Sequence, residues 1–139
     1  MELIFESKDR KDNTPLLIAI KRGLFPISTY LLEKGANPQV RDSKGRTTLY
    51  RATDCGYNLD SHGIENAIKL AKALLQAGVD INAQDNKGRI PLSNAAECIK
   101  SVELLLSEGA DPTIADNLGK LPVDYTNDKA RPLLQKKSR

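Results

Sequence analysis

Cationic side chains recur at four places along this sequence, each beside an aspartate. Arg10 and Lys11 follow Asp9; Arg41, Lys44 and Arg46 surround Asp42; Lys87 and Arg89 follow Asp85; Lys120 follows Asp116. Exposed Lys and Arg attract carboxylates on another surface and speed encounter with it, with a strong dependence on salt. The aspartates have a different chemistry. At the start of a turn, an Asp carboxylate accepts backbone N–H groups just downstream. These four are therefore read as turn-makers, and the cations as the groups left for a partner.

Other reactive types are sparse. His62 is the one histidine, and no residue stands at metal-ligand or general-base spacing from it. Cys55 and Cys98 belong to no Cys-x-x-Cys pair, and neither Asp54 nor Glu97 joins a paired-acid constellation. A phosphate-cradling loop, a nucleophile elbow and a zinc motif are also missing. The expectation is a protein that is not an enzyme, with no catalytic residue, no metal site and no cofactor.

The elements that carry the cations are marked by repeated punctuation. Leu31-Leu32, Leu74-Leu75 and Leu105-Leu106 precede Gly35, Gly78 and Gly109. Seven residues after each of these glycines stands Asp42, Asp85 or Asp116, and three further on Gly45, Gly88 or Gly119. Equivalent places are also held by Thr14-Pro15-Leu16, Thr47-Thr48-Leu49, Ile90-Pro91-Leu92 and Leu121-Pro122-Val123. From 14 to 47 is 33 residues; a ten-residue insertion at 57–66 lengthens the next interval, and a two-residue loss near Glu97 to Lys100 shortens the one after. Thr with Pro behind it starts a short helix, Pro15 to about Arg22, which Gly23 ends in a left-handed turn. A second helix, Ile27 to Lys34, carries Ile27, Leu31 and Leu32 on one face and stops at Gly35. After the insertion, Ile64, Ala67, Ile68, Ala71 and Leu75 predict a second helix that starts early and runs long. Helices this short hold only when stacked on neighbours.

Thr-Pro-Leu-x-x-Ala, Leu-Leu-x-x-Gly-Ala-Asp and Asp-x-x-Gly in this register resemble ankyrin repeats, over roughly Lys8 to Asp128. The resemblance implies an all-α solenoid of about four helix-turn-helix units with β-hairpin-like connecting turns. It fills one domain, 1–139, with repeats at approximately 9–41, 42–84, 85–115 and 116–139. The sequence departs from the family pattern in several places. Leu17, Tyr50, Ser93 and Asp124 stand where the family carries His, which implies fewer hydrogen bonds between repeats and modest stability. Asp12 replaces a turn Gly, Thr48 replaces the usual Pro, and Asp128 to Gln135 is read as a degenerate capping helix. Asn82 occupies a place where ankyrin-like proteins can be hydroxylated, although its better reading is a hairpin-stabilising amide.

In such proteins the hairpin tips and the inner face of the first helices meet the partner. The expected partner-binding set is Arg10, Lys11, Arg41, Lys44, Arg46, Lys87, Arg89 and Lys120, with Asp54 and Tyr57 at the insertion. The expected partner is another protein with an acidic patch, and a chain this small suggests a dedicated inhibitor or immunity-type protein. Nucleic acid is the weaker alternative. The 21 basic residues against 18 acidic leave only +3, and no aromatic residue at the tips would stack a base. A third reading is a fragment of a larger scaffold, with Leu3, Ile4 and Phe5 all that is left to cover the first unit's outer face. Hydrophobic residues make up 40%, Trp is absent, and only 4 Tyr and 2 Phe are present. That palette suits a shallow, elongated core. The N-terminus does not read as a secretory signal, and no apolar run approaches the roughly 18 residues of a membrane span. A cytoplasmic protein with no membrane and no small-molecule ligand is expected.

Overall fold

Leucine-rich helices in two rows make up this protein. The structure is a computed structural model that describes residues 7–54 and 61–137. Among the described residues there are seven α-helices and one 3-10 turn, and no strand. The elements are α1 (Pro15–Lys21), α2 (Phe25–Glu33), α3 (Thr48–Ala52), α4 (Ser61–Gln76), α5 (Pro91–Asn94), α6 (Ile99–Ser107), the 3-10 turn (Pro122–Tyr125) and α7 (Arg131–Lys137). An isolated antiparallel bridge, Arg41 with Thr47, closes the second connecting turn.

Each short element pairs with the one after it: α1 with α2, α3 with α4, α5 with α6, and the 3-10 turn with α7. The pairs then stack. The row α1, α3, α5 and the 3-10 turn forms one layer, and α2, α4, α6 and α7 form the other. Between the layers lies a continuous core of thin side chains, including Leu16, Ile20, Leu49, Leu70, Leu74, Ile90, Leu92, Leu105 and Leu134. Each such side chain contributes about 1.5–3 kcal/mol when fully buried, and this stacking supplies what the short helices lack alone.

The helix ends are built as their residues predict. Thr14 Oγ1 accepts from the N–H of Leu17 at 3.4 Å, and Thr47 Oγ1 from that of Tyr50 at 3.2 Å, so both cap free N–H groups. Pro15, Pro91 and Pro122 sit in first turns, where no N–H is needed. Thr48, in the place of the usual Pro, is buried and donates its hydroxyl to the Pro38 carbonyl at 2.9 Å. Gly23, at φ 71°, ends α1, and the Leu24 N–H turns back to the Ala19 carbonyl at 2.9 Å.

Two boundaries differ from expectation. α2 begins at Phe25, and its buried side is made by Phe25 and Ser28, with Leu31 and Leu32 packed partly against the core. Ile27, expected on that face, is 50% exposed. The reason is position. Among the described elements α2 has only α4 as a neighbour in its row, and Leu24, Ile27 and Tyr30 form an exposed stripe. The last helix runs Arg131–Lys137, slightly later than expected, and seals the end of the core with Leu134, while Ala130 just ahead of it is buried as well. The long second helix is present: α4 has 16 residues against 9 in α2 and in α6.

Candidate functional site: the turn edge

The four turn aspartates act alike. Asp9 Oδ1 accepts from the N–H groups of Lys11 and Asn13, both at 2.9 Å. Asp42 Oδ1 takes Lys44 and Arg46 at 2.9 Å, Asp85 Oδ1 takes Lys87 at 2.8 and Arg89 at 3.0 Å, and Asp116 Oδ1 takes Leu118 and Lys120 at 2.9 Å. One carboxylate oxygen thus shapes every turn and fixes the cations that follow it. The charge is stabilised accordingly. The Asn13 N–H holds the Asp9 carboxyl below its ordinary range. Burial pushes Asp42 upward, but the Arg46 N–H and guanidinium outweigh it and the carboxyl is lowered. The Tyr125 hydroxyl does most to lower Asp116.

The turns are also bonded to one another. The Asn86 N–H donates to the Lys44 carbonyl at 3.0 Å, and the Asn117 N–H to the Lys87 carbonyl at 2.9 Å. The side-chain amides add parallel links, Asn86 Nδ2 to the Ser43 carbonyl at 3.3 Å and Asn117 Nδ2 to the Asn86 carbonyl at 3.2 Å. Such close approach needs Gly45 and Gly88, both at φ 76°. A Cβ there would come within 3.1 Å of the Asn86 nitrogen and 2.9 Å of the Asn117 nitrogen respectively. Lys44, Lys87 and Leu118 consequently occupy equivalent positions on successive rungs. Among the described residues no backbone bond joins the first turn to the second. There Asp12, at φ 68°, carries the Cβ that Gly lacks, and Ser43 stands where the later turns have Asn.

The predicted site residues fall into two groups. Arg10, Lys11, Lys44, Lys87 and Lys120 are exposed along the turn edge. Arg41 is exposed too, but its guanidinium spans two turns, donating to the carbonyls of Gly45 at 3.3 Å and Gln84 at 3.0 Å. Arg46 and Arg89 are half-buried and already engaged. Arg46 Nε binds Asp42 Oδ2 at 2.7 Å. Arg89 Nε lies 3.7 Å from Asp116 Oδ2, and its guanidinium sits 4.7 Å from the centre of the Tyr125 ring. Lys120 Nζ lies 5.6 Å from the centre of that ring. Tyr125 Oη in turn donates to Asp116 Oδ2. Asp54 is half-buried beside Arg51, 3.8 Å away. Tyr57 and Cys55 lie outside the described residues, as does the insertion up to residue 60.

The positions that implied missing hydrogen bonds behave differently from one another. Leu17, Tyr50 and Ser93 are buried, whereas Asp124 is exposed and its carboxylate accepts from the Leu121 N–H at 2.8 Å. Burial, with the Asp85 carboxylate next in weight, pushes the Tyr50 hydroxyl up to about 12. Asn82 Oδ1 accepts from the Asp111 N–H at 2.9 Å, so its amide ties neighbouring hairpins together. Among the described residues no group of three or more His, Cys, Asp or Glu could hold a metal ion, and no helix is long and apolar enough to cross a membrane.

Residues 11–43 match the ankyrin-repeat family model. The chain is 43% identical over 60 residues to ankyrin repeat domain-containing protein 46 of Rattus norvegicus, covering 43% of this chain and 26% of that protein. It is 37% identical over 95 residues to ankyrin repeat and SOCS box protein 16 of Mus musculus, covering 67% of this chain and 20% of that one. The chain thus spans about a quarter or less of the length of these curated relatives. Ankyrin repeats generally mediate protein–protein interactions and are typically non-catalytic. Motifs in register along the sequence, a two-row helical stack and these matches agree, and the chain belongs to the ankyrin-repeat family.

Proposed function

We propose that this protein binds an acidic surface of another protein through its turn edge, in the cytoplasm, as a dedicated inhibitor or adaptor. One observation carries the reading: exposed Lys11, Lys44 and Lys87 hold the same position in three successive turns. The backbone that presents them is fixed by Asp carboxylates and, from the second turn on, by bonds between turns. A preformed row of turns places the lysines with little backbone ordering cost, and their ammonium groups attract carboxylates from a distance. Arg46 and Arg89 are left out of the binding set, because they neutralise Asp42 and Asp116 internally.

The test is capture of partners by wild type and by Lys11→Glu/Lys44→Glu/Lys87→Glu, with folding checked by circular dichroism. The expected outcome is a protein retained by wild type, released by raised salt and lost by the triple variant. Equal retention by both would remove the turn edge as the site. Capture of RNA or DNA in place of protein would favour the nucleic-acid reading.

A second reading has its own support. Leu24, Ile27 and Tyr30 are 41%, 50% and 56% exposed along α2, a stripe that another subunit or domain of a larger scaffold would cover. Light scattering over a range of concentrations, on wild type and Ile27→Lys/Tyr30→Lys, tests it. A wild-type assembly that the variant dissolves supports the scaffold reading, and a monomer throughout opposes self-association.

A further inference from the structure

We propose that the turn edge reads its partner in a fixed order, two carboxylates and then a large apolar side chain. The proposal rests on the acidic-partner reading above and specifies what that partner must look like. In the Asp-x-x-Gly turns the third residue is Lys44, then Lys87, then Leu118. The bonds from Asn86 to Lys44 and from Asn117 to Lys87 put these residues on adjacent rungs. Leu118 is 74% exposed, more than Leu24, Ile27 or Tyr30. An exposed Leu alone is ordinary, but this one lines a dent of about 290 Å³ between the third and fourth turns, which Lys87 also lines. Leu118 gives this dent an apolar wall beside a cation.

The spacing sets the ligand. Stacked units repeat at roughly 8–10 Å, and an extended chain advances about 3.3 Å per residue, so a partner strand places about every third residue on a rung. The segment that fits is extended and carries acid, two spacers, acid, two spacers and an apolar residue. A uniform polyanion such as a nucleic acid gains nothing from Leu118, so the order favours a protein segment.

Fluorescein-labelled peptides test this on the full chain by fluorescence anisotropy at low salt. Glu-Gly-Ser-Glu-Gly-Ser-Phe and Phe-Gly-Ser-Glu-Gly-Ser-Glu, in which only the order of the rung residues is inverted, keep the apolar residue at an end. Glu-Gly-Ser-Phe-Gly-Ser-Glu moves it to the middle with the same composition and charge. The better end-placed peptide is expected to bind about tenfold more tightly than the middle-placed one. Leu118→Lys, an exposed change with an unaltered melt, should erase that preference. Equal binding of all three peptides to wild type overturns the order while leaving the basic edge standing. If no peptide binds wild type, or Lys44→Glu/Lys87→Glu binds them as well as wild type does, the basic edge itself falls and the order with it.

Discussion

Replacing three turn glycines one at a time by alanine separates backbone strain from the contact between turns. Gly45, Gly88 and Gly119 have φ of 76°, 76° and 77°, so the strain of a side chain in the left-handed region is common to all three. That strain is worth about 1–2 kcal/mol. At Gly119 a Cβ meets nothing within 4 Å, and Gly119→Ala should cost that amount and little more. At Gly45 and Gly88 the new methyl presses on Asn86 and Asn117, whose backbone and amide groups each donate a bond across the turns. Losing two bonds at about 0.5–1.5 kcal/mol each raises the cost to about 2–5 kcal/mol. Gly88→Ala should be the worse of the pair. The atom in its way includes a backbone nitrogen at 2.9 Å, which cannot swing aside as an amide side chain can. Denaturant midpoints followed by circular dichroism measure the ranking, and amide exchange at Asn86 and Asn117 shows whether the rungs open. Equal losses in all three variants, with the two amides as well protected as in wild type, would refute the close-packed ladder.

Three other outcomes follow from the same geometry. Asp12→Gly should stabilise the protein by about 0.5–1 kcal/mol, since it relieves left-handed strain and removes only the exposed ion pair with Lys8 at 3.3 Å; an unchanged or lowered denaturant midpoint would count against that strain. Asp9, Asp42 and Asp116 have carboxyls lowered in the folded state, by the Asn13 N–H, by Arg46 against the opposing pull of burial, and by the Tyr125 hydroxyl. Their stabilisation is present above the unfolded value near 3.9 and is lost as pH falls through the folded values, so Asp42→Asn should flatten the fall in urea midpoint below about pH 4. Tyr125→Phe leaves the buried Asp116 carboxylate without the hydroxyl that donates to it and should lower stability by about 1–3 kcal/mol, with the loss read from thermal melts.

Much of this was legible because it is local and repeated. Thr caps, Gly stops and turn aspartates act on atoms within five residues, and each recurs at a fixed offset, so the sequence displays them several times over. The long helix α4 was visible as a run of apolar residues at helical spacing. What the string does not display is which side chains close on one another, within a turn or between units. Arg46 and Arg89 look like Lys44 and Lys87 in the string, but the first folds back on its own Asp and the second meets Asp116 and Tyr125 in the next unit. Tyr125 carried no motif at all. The rung-forming Asn86 and Asn117 did leave a trace, since each follows its turn Asp directly where Ser43 follows Asp42. Ile27 lies outside the core although it fits the helical spacing, because periodicity identifies an apolar stripe without saying whether a neighbour exists to cover it.

The absence of a rung between the first two turns makes the array unequal along its length. Repeat stacks open from their weaker junctions. Opening of the turn edge should begin between the first two turns, at Asp12 and Ser43, with the first turn lifting as a leaf while α2 stays packed on α4 and the later turns stay zipped. Lys11 rides on that leaf and Lys44 on the zipped part. A partner gripping both would close the leaf and slow its fluctuations, so tightening at one end of the molecule would be felt as slower release at the other.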